Sequence, residues 1–417
     1  MKYGLIGEKL SHSFSKEIHE ALADYTYEIC ELTPDEVAPF LAAREFEGIN
    51  VTIPYKEKVI PHLDEISEAA RKIGAVNTVK KVDGRLIGDN TDFYGMREMI
   101  VRAGIEVTGK KVLVLGTGGT SKTARAVLSD LGAREIITVS RKASQATVTY
   151  EDAVALHSDA EIIVNTTPLG MYPNTDSCPI DLWSFPNLTS VIDAIYNPLR
   201  TRLILDAQKR GIPATGGLMM LILQAVKASE IFLEKKIDEA KVQETIKDVF
   251  ESKENIVLIG MPGSGKSTIG RVIADKTGRP FIDTDTAIEE MTGMHPSEII
   301  RERGEDVFRD IETQVVREVS KKGGAVIATG GGIVKRSENV PLLRHNGRIF
   351  YINCPIDELP VTPDRPLSSS RAAIGRLYLE RNLLYTLAAD AVIDISHENA
   401  PDIAAAQILD ILSEIIK

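Results

Sequence analysis

Gly260 to Ser267 reads GMPGSGKS, a glycine-rich turn closed by a lysine and a hydroxyl. Such a turn presents backbone N–H groups that wrap a chain of phosphates, its lysine reaches the terminal oxygens, and its hydroxyl is a hard ligand for Mg2+. The apolar run NIVLI precedes it and the helical pattern STIGRVIADKTG follows, the strand–turn–helix setting this motif requires. Pro262, Gly263, Ser264, Gly265, Lys266, Ser267 and Thr268 are therefore expected to hold ATP, with Lys266 acting on the phosphates and Ser267 on the metal. A second turn, Gly116-Thr117-Gly118-Gly119-Thr120, lies far upstream between VLVL and TARAVL. Its glycines permit close backbone approach and aim a helix N-terminus at a pyrophosphate. G-x-G-G alone is a common turn. The next strand, however, ends in Ser140-Arg141-Lys142, two cations where an NAD site would place a carboxylate. That suits the 2′-phosphate of NADP, the alternative being a solvated basic turn.

These turns need parallel strands to carry them. KKVLVLG, EIITVS, AEIIVNTT and VIDAIY are apolar, β-branched runs spaced as in a parallel sheet. Before them, KYGLIG, GINVTIPYK and GAVNTVKK read as strands, with SKEIHEALADY and HLDEISEAARKI as helices between. GLMMLILQAVKASEIFLEKK is a long, largely apolar helix. A polar break near Ser252–Asn255 sets the domain boundary, and IVLIG opens a second α/β unit. The expected architecture is a two-lobed unit over residues 1–252, with a first lobe (about 1–95 plus 216–252) and an inserted Rossmann-like lobe (about 96–215). A P-loop domain, a parallel sheet flanked by helices, follows over 253–417.

The chain has 417 residues, 43% hydrophobic and 26% charged, as in soluble globular proteins. Its net charge of −11, without a basic stripe, speaks against nucleic acid and anionic membranes as partners. No apolar run is long enough to span a bilayer, and the N-terminal MKYGLIGEKL has no signal or transit character. Cys30, Cys178 and Cys354 lack CxxC spacing, which favours a reducing cytoplasm over a disulfide framework. The seven histidines show no metal-ligand spacing.

SHSFSKEIH, NVTIPYK, GAVNT, GDNTD, DAIYNP and GGLMMLILQA, in that order around the first glycine turn, resemble shikimate dehydrogenase over residues 1–250. The resemblance implies that Ser13 and Ser15 bind a substrate carboxylate, and that Thr52, Asn77, Tyr196 and Gln224 contact the carboxylate or the hydroxyls. It makes Lys56 and Asp92 the catalytic pair and adds Gly217 to the cofactor site. The residue types agree with the chemistry. Hydride addition to a ring ketone leaves an alkoxide, and an ammonium supplies both a proton and electrostatic support. Taken singly, Asn77 and Asp92 could be turn caps and Lys56 a surface lysine. Gln224 inside LILQAV is costly to bury without a partner.

FIDTDTAIEE, GEDVFRDIE, IATGGGIV, DRPL and LERNLLY follow the second turn and together resemble shikimate kinase over about residues 254–417. The resemblance implies that Asp283 supports magnesium and that Asp285 binds the acceptor hydroxyl as the candidate base. It gives Arg309 and Arg381 the carboxylate, Gly331 and Gly332 backbone N–H contacts, and Arg365 the transferring phosphate. Paired guanidinium forks match a planar carboxylate, although each arginine alone could be a helix-surface ion-pair partner. The sequence departs from the family in a short lid segment with no arginine before Arg365, and in Leu383 where proline is common. The implied activities are NADPH-dependent reduction of 3-dehydroshikimate and ATP-dependent phosphorylation of shikimate. The alternatives are a quinate/shikimate dehydrogenase joined to a kinase for another small hydroxy acid, or one half acting as a non-catalytic ligand-binding module.

Overall fold

The computed structural model of the chain describes residues 1–10, 13–361, 370–395 and 401–415. It divides into two compact units, Met1–Ile246 and Lys247–Lys417, and the division falls inside the helix Glu239–Lys253.

The first unit holds two sheets. One contains β1 (Tyr3–Gly7), β2 (Tyr27–Glu31), β3 (Gly48–Val51), β4 (Glu65–Ile66), β5 (Thr78–Val82) and β6 (Arg85–Asp89), in the order β2-β1-β3-β5-β6-β4. β1, β2 and β3 run parallel, while β5 is antiparallel to both β3 and β6. The other contains β7 (Lys111–Leu115), β8 (Glu135–Val139), β9 (Ile162–Asn165), β10 (Ser190–Asp193) and β11 (Ala214–Thr215), all parallel, in the order β11-β10-β9-β7-β8. The strand order reverses at β7, so the glycine turn after it sits at the switch point where such sheets open a crevice. β7 is buried on both faces: Leu113 and Leu115 join one apolar cluster, Val112 and Val114 the other. That is why KVLVL reads as a continuous apolar run rather than an alternating one.

The second unit repeats the scheme with β12 (Asn255–Ile259), β13 (Phe281–Asp283), β14 (Val326–Ala328), β15 (Gly347–Asn353) and β16 (Ala391–Asp394), parallel, in the order β13-β14-β12-β15-β16. β12 lies at the centre, with Val257 and Ile259 packed on one face and Ile256 and Leu258 on the other. The second glycine turn leaves its C-terminal end.

Three elements differ from the sequence expectation. HLDEISEAARKI is helical only over Glu68–Ile73, because the Ser67 hydroxyl caps that helix by accepting the Ala70 N–H at 3.1 Å. Ahead of it, Asp64 takes the Leu86 N–H (2.7 Å) and Glu65–Ile66 pairs with β6 as a strand. GINVTIPYK stays extended only to Val51; beyond it Tyr55 N–H turns back to the Thr52 carbonyl at 2.9 Å. The strand expected from GAVNTVKK starts at Thr78; just before it the buried Asn77 side chain accepts the Thr91 N–H at 2.7 Å.

The long apolar helix Leu218–Leu233 returns to the first lobe and packs on the helices Thr91–Arg102 and Ser15–Leu22. Gly95 makes this crossing tight: a Cβ there would lie 2.6 Å from the Met220 carbonyl and 2.9 Å from the Gln224 backbone. The same crossing sets Asp92 relative to Gln224. Gly95→Ala is expected to destabilise the first unit by about 1–3 kcal/mol through this overpacking. Thermal unfolding of the full chain checks it, and a melting temperature equal to that of the parent would show that the crossing has slack.

Candidate active sites

A cleft of about 560 Å³ in the first unit is lined by side chains from both sheets. Ser13, Ser15, Thr52, Lys56, Asn77, Asp92 and Gln224 come from the first lobe and its return helix; Thr120, Ala194 and Tyr196 come from the second. At its centre the Lys56 ammonium lies 2.6 Å from Asp92 Oδ2, with the two side chains 25% and 16% exposed. Lys56 stands on the turn after β3, where its carbonyl accepts the Val76 N–H at 2.8 Å. Asp92 occupies the first turn of Thr91–Arg102, whose N-terminal dipole favours an anion.

A buried polar chain holds that helix start. Asn77 Oδ1 accepts the Thr91 N–H (2.7 Å) and the Thr78 hydroxyl (3.1 Å). Thr91 Oγ1 donates to Gln224 Oε1 at 3.4 Å, and Gln224 Nε2 donates to the Leu221 carbonyl at 2.9 Å. Asn77 is thus a cap as well as a wall of the cleft, and Gln224 has the partners its burial requires. Asn50, which the sequence reading missed, joins this chain through Thr78 Oγ1 (3.0 Å) and takes the Tyr27 hydroxyl at 2.7 Å. Ser13 Oγ donates to Ser15 Oγ at 3.1 Å, at the start of its own helix. Phe14 meets the Tyr196 ring edge-on at 5.5 Å, bringing the two lobes together beside the serines.

The adjoining glycine turn opens the helix Gly119–Asp130, which has no acidic residue in its first turn. Space is open where Gly118 and Gly119 would carry side chains, as backbone approach by a pyrophosphate demands. Arg141 and Lys142 are exposed, and Ser140 Oγ fixes their turn by accepting the Lys142 N–H (3.2 Å) and donating to the Lys142 carbonyl (2.8 Å). Gly217 closes the wall, its N–H donating to the Ile195 carbonyl at 2.9 Å. These residues fit NADP.

The second unit has a cleft of about 520 Å³ lined by the phosphate turn, Asp283, Asp285, Arg309, Gly330 to Gly332 and Arg381. Lys266 donates to the carbonyls of Gly260 (3.0 Å) and Met261 (2.8 Å), which sets its ammonium within the turn. Asp283 caps the helix Thr284–Thr292 through Asp285 N–H (3.0 Å), and its other oxygen accepts the Ser267 hydroxyl at 2.6 Å. This is a hard-oxygen pair beside a phosphate cradle. Among the described residues no group of three or more His, Cys, Asp or Glu could hold a metal. A cation at Ser267 and Asp283 would complete its shell with phosphate oxygens and water, the habit of Mg2+.

Arg309 and Arg381 are 4% and 2% exposed, not surface partners. Arg309 Nη1 lies 2.8 Å from Glu312, and its Nη2 lies 3.0 Å from Glu305. Arg381 Nη1 (2.9 Å) and the Tyr385 hydroxyl both donate to the Gly331 carbonyl. The TGGG turn is small for a reason: Gly330 lies against Asp285 and Glu312, Gly331 against Pro262, and Gly332 against the Arg309 guanidinium. Sequence reading missed Glu312 and Tyr385, though each stands a helical turn beyond an arginine it did name. Burial pushes the Glu312 carboxyl up while Arg309 pulls it down, and burial pushes the Tyr385 hydroxyl up to about 12. Arg365 lies outside the described residues.

The first unit has the fold and cleft of a two-lobed dinucleotide-dependent dehydrogenase, the second those of a P-loop kinase. Comparison with known proteins narrows both. Residues 5–79 match the shikimate dehydrogenase substrate binding domain and residues 262–413 match shikimate kinase. The chain is 38% identical to shikimate dehydrogenase (NADP(+)) of Clostridium beijerinckii, over 60% of this chain and 98% of that protein. Among solved structures it is similar to shikimate dehydrogenase 1 of Peptoclostridium difficile, with a TM-score of 0.55 at 35% identity over 60% of this chain and 98% of that one. It is also similar to the Thermus thermophilus enzyme in complex with NADP(H) and shikimate, with a TM-score of 0.53 at 30% identity over 59% and 98% of the two chains. The chain belongs to the shikimate dehydrogenase family and carries a shikimate kinase domain after it.

Glu312→Ala would leave the buried Arg309 cation with Glu305 alone, and is expected to cost the second unit about 3 kcal/mol. Denaturant unfolding measures it; a loss near zero would mean Glu305 suffices.

Proposed function

We propose that this chain catalyses two consecutive reactions: reduction of 3-dehydroshikimate to shikimate, then phosphorylation of the shikimate 3-hydroxyl. The Lys56–Asp92 contact inside a hydroxyl- and amide-lined cleft, in a chain that also carries the kinase cleft, is the observation that supports this most. We assign the first reaction to residues 1–252 and the second to 253–417, in the cytoplasm; no helix among the described residues is long and apolar enough to cross a membrane.

When bound, NADPH supplies the hydride, ATP the phosphoryl group, and Mg2+ the charge that offsets the phosphates. In the first cleft the Ser13 and Ser15 hydroxyls bind the substrate carboxylate, and Thr52, Asn77, Tyr196 and Gln224 bind the carboxylate or ring hydroxyls. Lys56 Nζ holds a proton for the ketone oxygen and Asp92 fixes its direction. In the second cleft Arg309 and Arg381 take the carboxylate in parallel bonds, and Gly331 and Gly332 contact substrate through their N–H groups. Asp285 accepts the proton of the 3-hydroxyl, while Lys266 and Arg365 balance charge on the transferring group. Asp283 and Ser267 hold the metal.

The same fold occurs in a 5-ketofructose reductase of Gluconobacter, 30% identical with a TM-score of 0.52, so the ketone must be tested directly. Lys56→Ala is expected to slow NADPH oxidation by 3-dehydroshikimate about a hundredfold or more while leaving shikimate-dependent ADP release intact. Lys266→Ala should do the reverse. Parent-like turnover in either variant overturns that site's assignment, and faster turnover on quinate than on shikimate overturns the substrate.

A further inference from the structure

We propose that Asp193 is a positioning residue for the reduction, joining the loop that bears Tyr196 to the strand end beside the cofactor's glycine turn and so holding the walls that bind the acid and the cofactor. This rests on the preceding reading of the first cleft.

Asp193 ends β10 and is fully buried. Its carboxylate accepts three hydrogen bonds, each from a different segment. Asn165 Nδ2, at the end of β9, donates to Oδ1 at 3.0 Å. The Ile195 N–H, one residue before Tyr196, donates to the same oxygen at 3.0 Å. The Thr201 hydroxyl, capping the helix Arg202–Lys209, donates to Oδ2 at 2.6 Å. No cation is among the groups acting on it, and burial pushes its carboxyl up to about 6. A buried carboxylate without a counter-ion is a costly way to fill a core position, and one of its donors, the Ile195 N–H, sits between the cleft-lining Ala194 and Tyr196.

Through Asn165 the tie reaches the cofactor side. Asn165 Oδ1 accepts the Thr167 N–H (3.0 Å) and hydroxyl (2.7 Å), which shapes the turn after β9. Thr166 in that turn donates its hydroxyl to the Leu115 carbonyl at 2.6 Å and lies against Gly116. Through Ile195 the tie reaches the substrate side, because Ala194 and Tyr196 line the cleft opposite Lys56 and the Ile195 carbonyl receives the Gly217 N–H. At this point the two loops share one backbone hydrogen bond, from the Ala194 N–H to the Asn165 carbonyl (3.0 Å), and the carboxylate adds the side-chain ties that hold the turns beyond it.

The donor pattern makes the role testable. A carboxylate only accepts, and all three groups facing Asp193 donate. Asn at this position keeps the shape but removes the charge that strengthens all three bonds, and its amide NH2 can face only the Thr201 hydroxyl, which must then accept instead of donate. In the full-length chain, Asp193→Asn is expected to raise KM for both NADPH and 3-dehydroshikimate about tenfold, with kcat changing less. Thr201→Val, which removes one donor to the carboxylate together with the cap of the helix Arg202–Lys209, should move both KM values the same way by about threefold. Shikimate-dependent ADP release by the same samples should match the parent, and so should their melting of the second unit. Parent-like KM values in both variants, or a loss confined to kcat, overturn the inference. If Asp193→Asn does not fold, the Thr201→Val values decide. A parent chain that does not reduce 3-dehydroshikimate with NADPH would instead overturn the reading of the cleft.

Discussion

Anions must be drawn to a chain whose own net charge is −11, and this constraint orders the structure. Every ligand of the proposed function carries a carboxylate or phosphates. A diffuse positive surface is not available to attract them, so attraction has to be local. The fold supplies it where parallel strands end, with glycine turns that bare N–H groups and helix N-termini that add partial positive charge. On the proposed reading few full cations are used: Lys56 and the Arg141-Lys142 pair in one unit, Lys266, Arg309, Arg365 and Arg381 in the other. Among the described residues, Lys56 is matched at once by Asp92 and Lys266 is tied to backbone carbonyls. Directed donors do what net charge cannot.

On the proposed reading the two units meet the same carboxylate with different chemistry. Serine hydroxyls are neutral, and nothing must be buried to compensate them; Ser13 and Ser15 need only each other's geometry. Arginines bring a stronger grip at a structural cost, since Arg309 is nearly buried and must be held by Glu312 and Glu305. Reduction leaves the acid's charge unchanged, so a light hold is enough. Phosphoryl transfer brings a multiply charged nucleotide beside an acid, and a full guanidinium countercharge is then worth its desolvation.

What could be read in the sequence was whatever is local. GMPGSGKS and GTGGT sit between a strand and a helix within a few residues, so the phosphate turns, and the parallel strands feeding them, are legible from pattern alone. Lys56 and Asp92 are 36 residues apart, and only a resemblance could pair them. DAIYNP by itself gives Asp193 no role, because its three donors come from positions 165, 195 and 201 and no short pattern records them. The overlong helix expected from HLDEISEAARKI failed for a tertiary reason: Asp64 and Glu65 find partners on β6 and outcompete the helical period. Burial at Glu312 was invisible because an Arg–Glu pair three residues apart looks the same on a wet helix face as beneath a glycine turn.

Joining the two activities on one chain has a consequence that needs no passage of intermediate between the clefts. Reduction of a ring ketone by NADPH is reversible, and on the proposed reading Lys56 gives the proton in one direction and takes it back in the other. Phosphorylation consumes the alcohol at the expense of ATP. A fixed one-to-one ratio of clefts means that any cell making the reductase also makes an equal number of sites that remove its product. The ratio cannot drift with expression, so the pull on the first reaction depends only on the relative turnover and affinity of the two sites. Volumes of about 560 and 520 Å³ for the two clefts suit that arrangement: each is of a size for one small ring acid beside the reacting end of a cofactor. Selection can therefore tune flux through the affinities of the two clefts for shikimate, and on the proposed reading Tyr196 and its anchor Asp193 set part of the first.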